Sequence, residues 1–361
     1  MDNFIKEGYH KIKSDYSKLW NLLEKLGYPL DKLFTGKPNL EDIYSLLHVI
    51  SSGLWFDNEK EFIEYLGIDF RKYTPVKIIE SFIIELINIS SLNAIKRSCV
   101  YHNNLMKLLN KGDTLISFNY DLIAEVSLLK TDKWSEIGGY GFTCYDLLKD
   151  NIKKESEYLL LKPHGSINWS LNYNNKDILN DKSPYLFKYK SFHERLSGID
   201  HESKIEIKPI NKIDKKCYIE TLTINKALFY DEIFSITPEE DKWKIEGLEP
   251  NKITTFIIPP TYFKFGESFI PEELNAVWSL MRLSLSIANK IIIIGYSFPN
   301  SDLHFNALFR LSLKNNHNNV KIYIIDPNNS VVSKVKYMTP NLSVEHKAKY
   351  LSEYVCKNNI S

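Results

Sequence analysis

The sequence predicts an α/β protein: a mostly parallel sheet within residues 113–361, a helical region over 1–112, and an insertion of mixed structure at about 172–252. Three observations predict it. Up to residue 112 the apolar residues recur at helical spacing. Beyond it come five short apolar runs, at 114–118, 158–161, 255–258, 290–294 and 320–325, each closed by polar or turn residues. Such runs read as strands buried on both faces, as in a parallel sheet. Helix-spaced apolar residues lie between the later runs, and strand, helix, strand with short connections is the unit that builds such a sheet, with a right-handed crossover.

Each element has its own signal. Asn39 with Glu41 and Asp42 predicts a cap and an acidic first turn. Ile43, Leu46, Leu47 and Ile50 follow at helical spacing. Thr74-Pro75 opens another helix, whose stripe is Ile78, Ile79, Phe82, Ile83, Leu86 and Ile89. Residues 104–109 end a third before Lys111-Gly112. Between the third and fourth runs, Leu274, Val277, Trp278, Met281 and Leu285 predict one buried helix face. Between the fourth and fifth, Leu303, Leu308 and Leu311 predict another. Residues 172–252 are rich in Asn, Lys, Asp and Tyr and break this rhythm.

Composition bounds the function. With 361 residues, 43% hydrophobic and 25% charged, the chain is long enough to bury a sizeable core and ordinary for a globular protein. A net charge of +1 provides no global field for nucleic acid or an anionic membrane. The N-terminus has no apolar leader, and no stretch approaches the ~20 apolar residues of a membrane span. Cys99, Cys144, Cys217 and Cys356 are scattered, with no close pair for a structural zinc, so a reducing cytoplasm is the expected setting and no metal is expected. Walker-type and nucleophile-elbow motifs are absent, and neither His193-Glu194 nor His201-Glu202 has a second histidine at zinc-protease spacing.

In open α/β sheets ligands bind beyond the carboxyl ends of the strands. The residues there are Asn119-Tyr120-Asp121 after the first run and Pro163-His164-Gly165-Ser166 after the second. Pro259-Pro260 follows the third, Gly295-Tyr296-Ser297 the fourth, and Asp326-Pro327-Asn328 the fifth. Four of the five ends thus offer polar groups to one rim. Each has a plainer reading: turn chemistry for Asn119-Tyr120-Asp121 and for Asp326-Pro327-Asn328, a tight turn for His164-Gly165, a strand exit for Gly295-Ser297, and a helix N-cap for Ser301 or Asp302.

Read in order, Ser117-Phe118-Asn119-Tyr120-Asp121, the stretch from Lys162 to Trp169, Ile257-Ile258-Pro259-Pro260-Thr261 and the stretch from Gly295 to Asp302 resemble the sirtuin-like superfamily, and within it the bacterial antiphage-defence branch. The resemblance implies a Rossmann-like three-layer fold and an enzyme that hydrolyses NAD⁺ to nicotinamide and ADP-ribose. It implies Asn119, His164 and Asp121 as catalytic residues: Asn119 on the nicotinamide ribose or the attacking water, His164 as general base, Asp121 on the nicotinamide carboxamide. It implies Phe118, Gly165, Ser166, Gly295, Ser297, Asp326 and Asn328 as NAD⁺-binding. The implied partners are NAD⁺ and either a second copy of the chain or another defence protein; a membrane or nucleic acid is not expected.

Two features depart from the family. The paired-cysteine zinc module of sirtuin deacylases has no counterpart, which points away from protein deacylation and towards NAD⁺ hydrolysis. The Gly-rich phosphate loop that opens the family's domain has none before Phe118; the glycine cluster Gly138-Gly139-Tyr140-Gly141 comes after it. That departure keeps a second reading open, a non-catalytic NAD⁺- or ADP-ribose-binding or oligomerisation module.

Overall fold

A computed structural model describes residues 17–26, 43–47, 79, 82–83, 87, 99–142, 156–172, 188–191, 218–221, 228–232, 254–258 and 272–358. The expected cap at Asn39, Glu41 and Asp42 and the Thr74-Pro75 helix start lie outside them. Within the N-terminal region, helix α1 (Ser17–Lys25) is amphipathic and buries Trp20, Leu22 and Leu23. Trp20 meets Phe82 edge-on with ring centroids 5.1 Å apart. Ile43, Leu47, Ile79 and Ile83, all on the expected helical stripes, are buried too.

Helix α2 (Val100–Met106) buries Leu105 and Met106 in the main core, so that core takes in residues before the expected boundary at 112. Strand β1 (Thr114–Ile116) follows, then α3 (Ile123–Leu129) and the single turn α4 (Glu136–Gly139). Strand β2 (Leu159–Leu161) pairs with β1 in parallel, Thr114 opposite Leu159 and Ile116 opposite Leu161. Strand, helix, strand with parallel pairing is the arrangement the apolar runs predict.

The chain then departs from the expected order. Strand β3 (Gly165–Asn172) starts within the motif read as a loop, and it pairs antiparallel with β5 (Tyr218–Thr221) and β7 (Thr254–Ile257). The third apolar run is therefore the partner of β3 in an antiparallel sheet. A buried apolar strand looks the same from sequence in either orientation, because both faces being covered says nothing of chain direction. Strands β4 (Lys188–Ser191) and β6 (Leu228–Glu232) form a separate antiparallel pair inside the insertion.

The C-terminal part is regular. Helix α5 (Glu272–Ile287) leads to β8 (Lys290–Ile294), a 3₁₀ turn (Asn300–Asp302), α6 (Leu303–Lys314), β9 (Lys321–Ile325), α7 (Ser330–Met338), β10 (Ser343–Ala348) and α8 (Leu351–Asn358). Strands β8, β9 and β10 form one parallel sheet in sequence order. Ile322, Ile324 and Ile325 are fully enclosed in it. Small parallel sheets with interleaved helices place this part in the α/β class.

Helix α5 buries Leu274, Val277, Met281 and Leu285 of the expected face, with Trp278 half-buried against the core. Helix α6 follows expectation only at Leu308, which is half-buried against the core. Leu303 and Leu311 stand out to solvent at 68% and 62% exposure, and the helix buries Phe305, Phe309 and Leu313 instead. Two stripes compete on this helix. The one with two phenylalanines removes more apolar area from water and joins an aromatic cluster, so it faces the core.

Candidate functional site

The site grows from the carboxyl ends of β1, β2 and β8. After β1 the chain passes through Phe118, Asn119, Tyr120 and Asp121. The Phe118 ring stacks on Tyr296, which follows β8, at 4.3 Å and 16°. The same ring meets His164, which follows β2, edge-on at 5.1 Å. Phe305 closes on Phe118 from α6 at 4.6 Å. One phenylalanine thus joins three strand ends.

His164 is held from several sides. Its carbonyl accepts the Ile258 N–H at 2.7 Å, just past β7. Tyr120 donates its hydroxyl to the Ile258 carbonyl at 2.5 Å, and its ring lies 6.4 Å from the imidazole. The His164 Nε2 stands 3.3 Å from an Asp302 carboxylate oxygen, with both side chains buried. The Tyr296 hydroxyl donates to the other Asp302 oxygen at 2.5 Å. Asp302 occupies the N-cap position of α6, yet its side chain makes no capping bond there. The cap reading of that residue gives way to a His–Asp–Tyr cluster.

Asn119 is exposed at the rim, between the two aromatic residues that flank His164. Its backbone N–H reaches the Ser117 hydroxyl at 3.4 Å. Asp121 accepts the Ile123 N–H at 2.9 Å through Oδ1, which ties it to the start of α3. His102 of α2 feels the Asp121 charge, but burial is the larger influence and pushes its pKa below the ordinary imidazole value.

Beneath this rim lies a polar core that the sequence reading missed. The Lys162 ammonium is enclosed and donates to the Asp121 carbonyl at 2.6 Å, Glu125 Oε1 at 2.7 Å and the Ser166 hydroxyl at 2.8 Å. Lys162 and Glu125 are both wholly buried. Tyr140 donates its hydroxyl to the same Glu125 oxygen at 3.3 Å and accepts from Asn168 at 3.0 Å. Burial raises the Glu125 carboxyl pKa, and the attraction of Lys162 acts against that rise. The Ile167 N–H donates to the Tyr120 carbonyl at 3.1 Å. Lys162 therefore clamps the loop after β1 to the start of β3.

Ser166 departs from its expected role. It is fully buried with its hydroxyl on Lys162, because β3 begins one residue earlier and carries it into the core. Gly165 is buried at the first position of that strand. Gly295 and Ser297 are exposed at the rim, Gly295 at φ +60°, where a side chain would be strained. Phe298 shares a positive φ, +53°, although it is not glycine. Its carbonyl accepts from Lys334 of α7, and the Pro299 carbonyl accepts from Asn306 of α6 at 3.0 Å, so neighbouring helices hold this turn. Asp326 is buried and accepts the Asn328 N–H at 2.7 Å, while exposed Asn328 accepts the Ser330 N–H at 2.9 Å. Those two bonds are turn and helix-start chemistry, next door to Gly295, whose N–H donates to the Ile325 carbonyl.

The glycine cluster has a packing role. A Cβ on Gly139 would sit 1.9 Å from Nε1 of Trp134, a fully buried indole. Gly139 is bare so that Trp134 can lie against its backbone, with Tyr140 edge-on to the same indole at 5.3 Å.

Two signals for the missed residues were present in the sequence. Lys162 ends a continuous apolar strand, and Glu125 interrupts the apolar residues of α3; charges in such places are buried only when paired. Among the described residues no three metal-ligating side chains gather, and no helix is long and apolar enough to cross a membrane. No family model and no curated protein matches the sequence.

Proposed function

We propose that this chain binds NAD⁺ at the carboxyl ends of β1, β2 and β8 and hydrolyses its nicotinamide–ribose bond. The observation that carries the reading is the meeting of His164, Asp302 and the Asn119 loop at one rim, through Phe118 and Tyr296. An imidazole beside a buried carboxylate is the kind of group that takes a proton near neutral pH. The order of motifs resembling the sirtuin-like superfamily supports the choice of NAD⁺.

The reaction consumes NAD⁺ and water and yields nicotinamide, ADP-ribose and a proton. The glycosidic C–N bond breaks, its electron pair leaves with neutral nicotinamide, and the ribose becomes oxocarbenium-like. Asn119 orients the ribose or the incoming water from the rim. His164 takes the proton as the water oxygen bonds to the anomeric carbon. Asp121 holds the nicotinamide carboxamide through Oδ2, since Oδ1 serves α3. Preorganised dipoles of this kind stabilise developing charge without reorganising during the reaction. The exposed loop at Gly295 and Ser297 contacts phosphate and ribose, and the turn at Asp326 and Asn328 the adenosine ribose. The biological role is NAD⁺ depletion in antiphage defence, in the cytoplasm, with assembly into an oligomer or with a second defence protein.

A second reading has an observation in its favour. Gly139 of the glycine cluster packs against Trp134, and no Gly-rich loop precedes Phe118; a module that binds NAD⁺ or ADP-ribose without turnover fits that as well. Nicotinamide release separates the two. The first reading expects release by the parent chain and loss of it in His164→Ala and Asn119→Ala, with circular dichroism unchanged. Calorimetric binding of NAD⁺ with no release under any activating condition would favour the second.

A further inference from the structure

His164 and Asp302 come from different parts of the chain, one after β2 and one from the turn that opens α6. Nothing about capping explains the geometry at Asp302: its side chain leaves the helix N-terminus uncapped and turns to the imidazole. One carboxylate oxygen lies 3.3 Å from His164 Nε2 and the other accepts the Tyr296 hydroxyl. Tyr296 is itself fixed by the stack with Phe118 and by edge contacts with Phe298 and Phe305, at 4.8 and 5.5 Å. Buried polar oxygens need partners, and these two supply one to each oxygen of Asp302.

We propose that Asp302 is a positioning residue for His164: it keeps the proton on Nε2, fixes the plane of the ring, and stabilises the imidazolium formed when His164 takes a proton, while Tyr296 holds Asp302 in place. The assignment rests on the NAD⁺-hydrolase reading for its catalytic consequence, but not for the state of the imidazole. Among the described residues, the titratable groups near His164 have partners of their own. Tyr120 gives its hydroxyl to Ile258, and Lys162 divides its ammonium among Glu125, Ser166 and the Asp121 carbonyl. Phe118, edge-on to the same ring, is apolar. Among the described residues Asp302 is the carboxylate set against this imidazole, 3.3 Å from its Nε2.

Two measurements on the full chain test it. Long-range proton–nitrogen correlation spectra of ¹⁵N-histidine-labelled protein, with His164→Gln assigning the signal, report the tautomer and titration of His164 without any ligand. The parent is expected to hold the Nε2–H tautomer. Asp302→Asn is expected to lower the His164 pKa by about one unit or more, because an opposite charge at this range favours the protonated ring. Tyr296→Phe, which deletes only a hydroxyl, should shift it less and in the same direction. Should Asp302→Asn fail to fold, Tyr296→Phe carries the test on its own. An unchanged tautomer and titration in the folded variant would overturn the proposal.

The second measurement is the pH profile of kcat/KM for nicotinamide release. A general base works when neutral, so activity rises through its pKa. In Asp302→Asn the plateau should fall about tenfold or more and the acid limb should move to lower pH along with the measured pKa. A loss of rate with the acid limb unmoved would assign Asp302 a merely structural role and refute the proposal. A parent chain that releases no nicotinamide would remove the hydrolase reading while the spectra still decide the His164–Asp302 pairing.

Discussion

Lys162→Met is the most informative perturbation of the polar core beneath the site. The parent ammonium makes three hydrogen bonds of 2.6–2.8 Å, one of them to a wholly buried carboxylate. Bonds to charged groups contribute about 1.5–3 kcal/mol each, while enclosing the two charges costs several kcal/mol per ion. The pair is therefore close to neutral as a unit, but removing one member strands the other. The expected loss is ~3–5 kcal/mol. Burial already pushes the Glu125 pKa up against the pull of Lys162, and the substitution removes that pull. In the variant, folded Glu125 keeps its proton to a higher pH than the unfolded chain does. Its contribution is then favourable below the unfolded carboxylate pKa and is lost as pH rises through the folded value. The destabilisation should accordingly be smaller near pH 5 than near pH 8. Urea unfolding followed by tryptophan fluorescence at both pH values measures it. Adding Glu125→Leu to Lys162→Met should recover much of the loss. A single-variant cost under about 1 kcal/mol, or the same cost at both pH values, would refute a dry, mutually dependent pair.

Other outcomes follow from packing. Gly139→Ala places a methyl inside the Trp134 indole and should cost about 1–3 kcal/mol, visible as a lowered melting temperature and an altered near-ultraviolet dichroism. Phe309→Ala, in the face of α6 that is buried, should cost ~3–5 kcal/mol, whereas Leu311→Ser on the exposed face should change stability by about 0.5 kcal/mol or less in urea titrations. Phe118→Ala removes the ring that joins three strand ends and should depress nicotinamide release far more than it depresses stability, as paired activity and unfolding measurements would show.

Much of the regular structure was legible because a single periodicity decided it. The apolar run at 290–294 is β8 residue for residue, and the stripe from Leu274 to Leu285 is the buried face of α5. Legibility failed where two patterns competed or where pairing was needed. Helix α6 carries two apolar stripes, and the phenylalanines took the core. The run at 255–258 says that a strand is buried but not which way its neighbour runs, and it proved antiparallel to β3. Strand β10 went unnoticed because only Val344 and Ala348 of it are buried. At the site, the rim positions of Asn119, His164 and Gly295 followed from the rule that polar residues after strands gather at one edge. The same rule put Tyr296 at a strand end, but the partnerships of Asp302, Tyr296, Lys162 and Glu125 did not follow from it, because they come from contacts between segments up to 138 residues apart in the chain, as Asp302 is from His164. A sequence pattern records which residues are polar; it does not record which of them meet.

The proposed site sets NAD⁺ against His164. Titrating a non-hydrolysable NAD⁺ analogue into ¹⁵N-histidine-labelled protein tests it directly. Saturable displacement of the His164 ring signals is predicted, with weaker binding in Asn119→Ala. An analogue that binds while those signals stay where they were, or that does not bind at all, would contradict it.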